Sequence, residues 1–496
     1  MHRSRLMLLL VALVLPALSG AQGWPSEGPP PPLAVHRVDF PDYQLRTLPN
    51  GLQVLVVPHH EQPSVSFRLL VGAGAVQEPA DRPGVASMVA SLLNQGTATK
   101  SAGEIATLID SAGGILGVGS ANELTSVYGA VIKDRTDLAL ALASDLVQHP
   151  AFPADEIALH RKQSLSALQV GYDDPDYLAN AVFDRIIFGL HPFGRPNEGT
   201  PQSIERITQS DLAAFHRTWF VPNNALLAIV GDVTVEEGFA AAAQAFGNWE
   251  RRSVPEITLP TPPVAARRVV VIDRPGSAQT EIRVGHLAIP RTHPDYIAFD
   301  LAIRILGGEG ANRLFGVLRS DRGLTYGASA DFHAFRSSGD VEAETNTRTS
   351  GTGESLRLMV DEFARLRREL VHPAELRGAQ DFMAGHFPLS IETPAAIAEQ
   401  VLTRLFYGQS PSEIETYLDK VARVTPAEIQ RVAREWLKPD QLSIVLVGDA
   451  ATFVDQLKTM GFSEYERIPI ADLDLDAPTL RRSPAGRAPA PGLPPA

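Results

Sequence analysis

Two stretches far apart in the chain read as one element written twice. Ile207 to Asp232, ITQSDLAAFHRTWFVPNNALLAIVGD, aligns without a gap on Val424 to Asp449, VTPAEIQRVAREWLKPDQLSIVLVGD. Thr208 falls on Thr425, Trp219 on Trp436, Pro222 on Pro439, and the pair Gly231 and Asp232 on Gly448 and Asp449. Just upstream, AVFDRIIFGLHP (Ala181 to Pro192) resembles QVLTRLFYGQSP (Gln400 to Pro411), with Arg185 on Arg404. A repeat on this scale is one folding unit used twice, here a unit of about two hundred residues. Within a unit, apolar strands such as LQVLVVPH (Leu52 to His59) and SVSFRLLVGAG (Ser64 to Gly74) lead into helices, and the unit closes on a helix, a proline-containing turn and an apolar strand. That mixture predicts an α+β fold: two homologous α/β sandwich domains, each a mixed sheet with helices on one face, facing each other across a linker like a clam.

The segments around the repeat set the boundaries. Met1 to Ala21 carries Arg3 and Arg5, an apolar run from Leu6 to Leu15, and the small residues Ser19, Gly20 and Ala21, the order of a secretory signal cleaved after Ala21. The expectation is an exported protein, periplasmic or secreted, and no second apolar stretch of about 18 residues predicts a membrane span. Residues 22–42 read as a proline-rich lead-in, 43–252 as the first domain, 253–268 as a proline-rich linker, 269–470 as the second domain and 471–496 as a disordered proline-rich tail. A net charge of −13 excludes a nucleic-acid partner, which needs a basic footprint. With no cysteine, the chain has no disulfide, no thiolate metal site and no cysteine nucleophile, and it holds no G-x-S-x-G.

One helix poses the functional question. GVASMVASLLNQGT (Gly84 to Thr97) is amphipathic and runs into a glycine stop, and Ser87, Ala90 and Ser91 share one of its faces at i, i+3 and i+4 spacing. A zinc peptidase would place two histidines and a carboxylate there.

The duplication, this helix, FVPNNALLAIVGDV at the close of the first half and LGGEGANRLFGVLRSDRGLTYGASA (Leu306 to Ala330) in the second together resemble the insulinase/pitrilysin family of zinc metallopeptidases. They are closest to its branch of short, two-domain subunits similar to the mitochondrial processing peptidase. In that family the helix carries H-x-x-E-H: the two histidines bind zinc and the glutamate activates the metal-bound water. The resemblance puts the histidines on Ser87 and Ser91, the glutamate on Ala90, and the family's third ligand, a glutamate ahead of an acidic turn like Tyr172-Asp173-Asp174-Pro175, on Ala167. No H-x-x-E-H or H-x-x-x-H stands elsewhere, and His59 and His60 are neighbours at a strand end whose side chains point to opposite faces. No metal is expected in this chain.

The second half keeps what the first has lost. Arg322 and Tyr326 match the arginine and tyrosine that the family directs into the active chamber, and both are hydrogen-bond donors suited to a substrate carbonyl and its developing oxyanion. For each residue taken alone, a surface ion pair and a strand aromatic are the alternatives. Gly307, Gly308 and Gly310 read either as a loop letting a substrate backbone approach or as a helix end followed by a turn. No Lys-Ser/Thr follows them, which excludes a phosphate loop. The resemblance thus implies a noncatalytic, substrate-binding subunit of a heteromeric peptidase. It would supply Arg322 and Tyr326 to an H-x-x-E-H partner that holds the zinc and would bind peptide as an added strand. The other class of reading is a scaffold with no part in proteolysis, like the family's degenerate subunits in respiratory complexes.

Overall fold

The computed structural model describes residues 40–263, 266–308 and 312–482. The signal segment, most of the lead-in, Gly310 and the last residues of the tail lie outside them. The first sheet comprises β1 (Gln44–Thr47), β2 (Gln53–Pro58), β3 (Ser64–Val71), β4 (Ile115–Ser120), β5 (Thr125–Ile132) and β6 (Ala225–Gly231), in the spatial order β1-β2-β6-β3-β5-β4. The second comprises β7 (Arg268–Asp273), β8 (Gln279–Ala288), β9 (Ala328–Ala334), β10 (Gly339–Arg348), β11 (Ser443–Gly448) and β12 (Glu466–Pro469), in the order β12-β7-β11-β8-β10-β9. Five strands correspond one to one. The parallel pair β2/β6 repeats as β7/β11, and the antiparallel run β6-β3-β5-β4 repeats as β11-β8-β10-β9. The sixth strand differs: β1 precedes its sheet and pairs antiparallel, whereas β12 follows its sheet and pairs parallel.

The helices that matter for function are α1 (Val85–Leu92), α2 (Ala154–Asp173), α3 (Pro175–Phe188), α4 (Gln209–Trp219), α5 (Tyr296–Gly307), α6 (Pro373–Leu389), α7 (Pro394–Phe406), α8 (Glu413–Arg423) and α9 (Pro426–Trp436). The repeated threonines explain themselves as caps. Thr208 Oγ1 accepts from Asp211 N at the start of α4, and Thr425 Oγ1 accepts from Glu428 N at the start of α9, each inside a capping box.

Each sheet buries one face beneath its own helices. Val54, Val56, Phe67, Leu227 and Ile229 share one buried cluster with apolar residues of α1 and α4, and Val269, Val271, Ile282, Val284 and Leu446 share a second with those of α5 and α9. The strands are apolar on their other face too, so that face also needs cover. It comes from the opposite half. Leu178, Val182, Phe183 and Ile186 of α3 pack on Val270, Ile272, Val445 and Val447 of the second sheet. Reciprocally α7, whose Ile397, Val401 and Leu402 are buried, lies against β6 and β3 of the first. At Gly285 a Cβ would stand 1.8 Å from Val341 O and 2.7 Å from Phe183 Cζ, so the residue has to be glycine for α3 to seat.

One boundary from the sequence needs correction. The stretch 471–482 is not disordered tail: Leu473, Leu475 and Leu480 are buried in the α3 cluster, and Leu473 bridges to Arg481. Three leucines upstream of the proline-rich end supply the apolar surface that a solvated tail lacks.

Candidate functional site

The structure brings α1 and α2 into contact, the two helices that carry the four positions the resemblance assigns to a zinc site. Gly84 begins α1 in the left-handed region (φ 91°), and the Glu78 carboxylate accepts hydrogen bonds from Gly84 N (3.0 Å) and Ala86 N (2.9 Å), tying the helix N-terminus down. Burial pushes the Glu78 carboxyl up to about 8 against the pull of those amides. Along α1, Ser87 is half-buried, Ala90 is buried and Ser91 is exposed, and on α2 Ala167 is exposed. Two hydroxyls and two methyls replace imidazoles and carboxylates, and a zinc ion does not fit that donor set. The histidines His59 and His60 turn apart: His60 Nδ1 meets Asp232 Oδ1 at 2.7 Å, and His59 Nε2 lies 3.9 Å from Glu61 Oε2.

Among the described residues, His333, Asp340 and Glu342 bring three potential ligand atoms within 4.8 Å of one another. They belong to a polar strip where α3 crosses β8, β9 and β10. Its centre is the buried Arg283, which contacts Asp176 Oδ1 and Asn180 Oδ1 of α3 and lies 3.2 Å from Glu342 Oε1 and 3.4 Å from Glu344 Oε2. His333 Nδ1 is 3.1 Å from Asp340 Oδ2, and that hydrogen bond and charge hold the imidazole up at about 9. The strip therefore carries its own cations, a guanidinium and an imidazolium.

That electrostatic balance has a measurable consequence. Burial raises Glu342 to about 8 and Glu281 to about 7, and raises Asp184 and Asp340 as well. A group whose folded pKa lies above its unfolded value favours the folded state while it stays protonated and loses that contribution as pH rises through the folded pKa. Glu281 acts in this direction from about pH 4.5 to 7, Glu342 from about 4.5 to 8 and His333 from about 6.5 to 9, so the window runs from about pH 4.5 to 9. The melting temperature is expected to fall across that window, and Glu342→Gln is expected to flatten the fall. An unchanged pH profile in that variant would remove the strip as the cause.

In the second half, α5 ends at Gly307, where a Cβ would stand 2.1 Å from Ala330 N of the edge strand β9. The helix-end reading thus describes Gly307. Gly308 gives its carbonyl to Asn312 Nδ2, whose Oδ1 in turn accepts from Phe315 N and caps the short helix Arg313–Phe315. A π-helical segment, Gly316–Asp321, follows, and Arg322 stands at its end, half-exposed, with Nη1 3.8 Å from Glu354 Oε1. Tyr326 is not a strand aromatic. It sits in the loop before β9 and is 83% exposed. What holds it is Arg319, invisible in the sequence pattern: its Nη1 donates to Tyr326 O at 2.6 Å and its guanidinium lies 4.4 Å from the ring centroid. Tyr326, Gly308, Asn312, Ser329, Glu344 and Arg283 line one cleft of about 730 Å³. Ser87, Ala90, Ser91 and Ala167 do not line it.

Two α+β sandwiches that repeat one strand order define the class: a duplicated, two-domain peptidase fold. Residues 53–199 match the profile of Insulinase (Peptidase family M16), and residues 206–383 that of the Peptidase M16 inactive domain. The chain belongs to the insulinase family, peptidase family M16, as an inactive-like member. An uncharacterised zinc protease of Mycobacterium tuberculosis is 28% identical over 427 residues, 84% of this chain and 95% of its own length. One from Bacillus subtilis is 21% identical over 395 residues, 79% of this chain and 95% of its own. Among solved structures, a peptidase M16 inactive domain from Pseudomonas fluorescens superposes with a TM-score of 0.78 at 29% identity, over 82% of this chain and 98% of that one. A protease from Helicobacter pylori has the same fold, with a TM-score of 0.77 at 20% identity over 83% of this chain and 100% of that one.

Proposed function

We propose that this chain is an exported, noncatalytic, substrate-binding subunit of a heteromeric zinc metallopeptidase acting on peptides. The observation that carries the reading is the contrast between its halves. The zinc frame of α1 and α2 presents Ser87, Ala90, Ser91 and Ala167, whereas Tyr326 presents a free phenol at a wide cleft on a loop braced by Arg319. A homologous partner with H-x-x-E-H would hold the zinc and the general base. This chain would add Tyr326 and Arg322 as donors to the scissile carbonyl, with Gly308 lining the same cleft as Tyr326, while Arg322 lies outside that lining. The edge strand β9, directly after Tyr326 and paired only with β10 in its sheet, offers a free backbone edge to an extended peptide.

The test begins with the chain by itself. Purified alone, it is expected to hold no stoichiometric zinc by metal analysis and to show no chelator-sensitive peptidase activity. Mixed with an H-x-x-E-H homologue encoded beside it, it is expected to co-elute as a complex and to gain that activity. About one tight zinc per chain, lost on substitution near Ser87, overturns the reading.

A further inference from the structure

Arg185 and Arg404 hold equivalent positions in the duplicated unit, on α3 and α7, yet their guanidinium groups end differently. Arg185 is buried and spends all three nitrogens on backbone carbonyls: Nε on Leu475 O at 3.0 Å, Nη2 on Ala477 O at 3.3 Å, and Nη1 on Gly189 O. Arg404 is 8% exposed, but only its Nη1 is engaged, by Gln400 O at 2.9 Å and Gln400 Oε1 at 2.7 Å. Among the described residues, its Nε and Nη2 have no hydrogen-bond partner and no carboxylate lies within 4.0 Å of it. The side chain opens into a cavity of about 260 Å³ enclosed by α5, α6, α7 and α8.

The charges around that cavity do not balance. Arg291 and Arg304 line it too. Arg304 Nε lies 3.2 Å from Asp300 Oδ2, and Glu413, the other lining carboxylate, is paired with Lys420. Arg291 meets the rings of Tyr296 and Tyr407 at 5.3 and 5.1 Å, and its Nε is buried without a hydrogen-bond partner. Glu123 feels Arg291 only at longer range, its carboxylate accepting from Arg336 N at 3.1 and 3.3 Å. Burial raises the Asp300 carboxyl, which weakens one of the two lining countercharges further. A buried guanidinium costs several kcal/mol unless its charge and donors are met. At the equivalent Arg185 they are met by carbonyls; at Arg404 half of them face open space.

We propose that this cavity binds a small oxyanion, a carboxylate or a phosphate, held side-on by Nε and Nη2 of Arg404 with Arg291 as the second cation. The planar guanidinium fork matches two oxygens of either group. At roughly 30 Å³ per water, the cavity takes such an anion with several waters beside it. The inference rests on no part of the peptidase reading.

Isothermal titration calorimetry of the full chain with inorganic phosphate, and separately with acetate, at matched ionic strength with chloride as the background, tests it and tells the two sources apart. The expected result is a saturable heat of one anion per chain for at least one of the two. Losing one charged fork weakens such a contact about ten-fold or more, so Arg404→Gln is expected to bind at least about ten-fold more weakly. Arg291→Gln, at a less buried position, is expected to do the same and decides the matter if Arg404→Gln does not fold. No saturable heat with either anion, or equal binding in the folded variants, overturns the proposal and leaves a cavity filled by water alone.

Discussion

In a complex reconstituted with an H-x-x-E-H partner, Tyr326→Phe is expected to slow peptide cleavage by roughly a hundred- to a thousand-fold. The argument runs through one hydroxyl. A donor placed against a carbonyl gains most when that oxygen becomes an oxyanion, so its loss raises the barrier by about 2.7–4 kcal/mol while weakening substrate binding much less. Phenylalanine keeps the ring over which Arg319 lies and removes only the donor. Because Tyr326 is 83% exposed, stability and assembly are expected to stay unchanged, and size-exclusion chromatography checks this before rates are compared. A fall in kcat at nearly constant KM is the signature of the role proposed. Arg322→Ala, at the other matched position, is expected to act in the same direction, its present partner being only the distant Glu354. Full activity of an intact Tyr326→Phe complex would leave a scaffold as the better description of the chain.

The second large effect concerns the seam between the halves. Phe183→Ala is expected to destabilise the chain by about 3–5 kcal/mol, the usual range for emptying a fully buried aromatic site. Phe183 is 0% exposed at the middle of α3, packed against strands of the other half and against the gap left by Gly285. A truncated side chain there leaves a void that neither half can close alone, because the helix is anchored in one half and its floor in the other. Urea unfolding followed by tryptophan fluorescence reads the change, with Trp219 in the first half and Trp436 in the second as reporters. A loss confined to the first half would mean that α3 serves only the domain it comes from.

The repeated elements were legible in the sequence because each does a local job. Thr208 and Thr425 cap, Trp219 and Trp436 close a helix, and Gly231 ends β6 at a φ of 142° with Ser64 O only 2.2 Å from where a Cβ would stand. That 87 and 91 carry serine was equally plain, since an imidazole is either written there or it is not. What stayed hidden depends on the third dimension. The apolar pattern of α3 announces a buried face but not that the sheet beneath it belongs to the other half. Arg319 reads as one more surface cation, yet it fixes the loop of Tyr326. Asp176 and Asn180 stand four residues apart along α3, and nothing in that spacing names Arg283 as the group they meet. The three leucines of 471–482 were masked by the proline-rich end that follows them.

The exchange of α3 and α7 settles where this molecule can bend. Each helix is a bolt laid across one face of the opposite sheet, so the two halves form one lock and cannot swing apart as jaws without drawing both bolts and exposing two apolar faces. Severing the backbone between the halves would yield two fragments that need each other to fold, a pair of interlocked pieces in place of two free-standing domains.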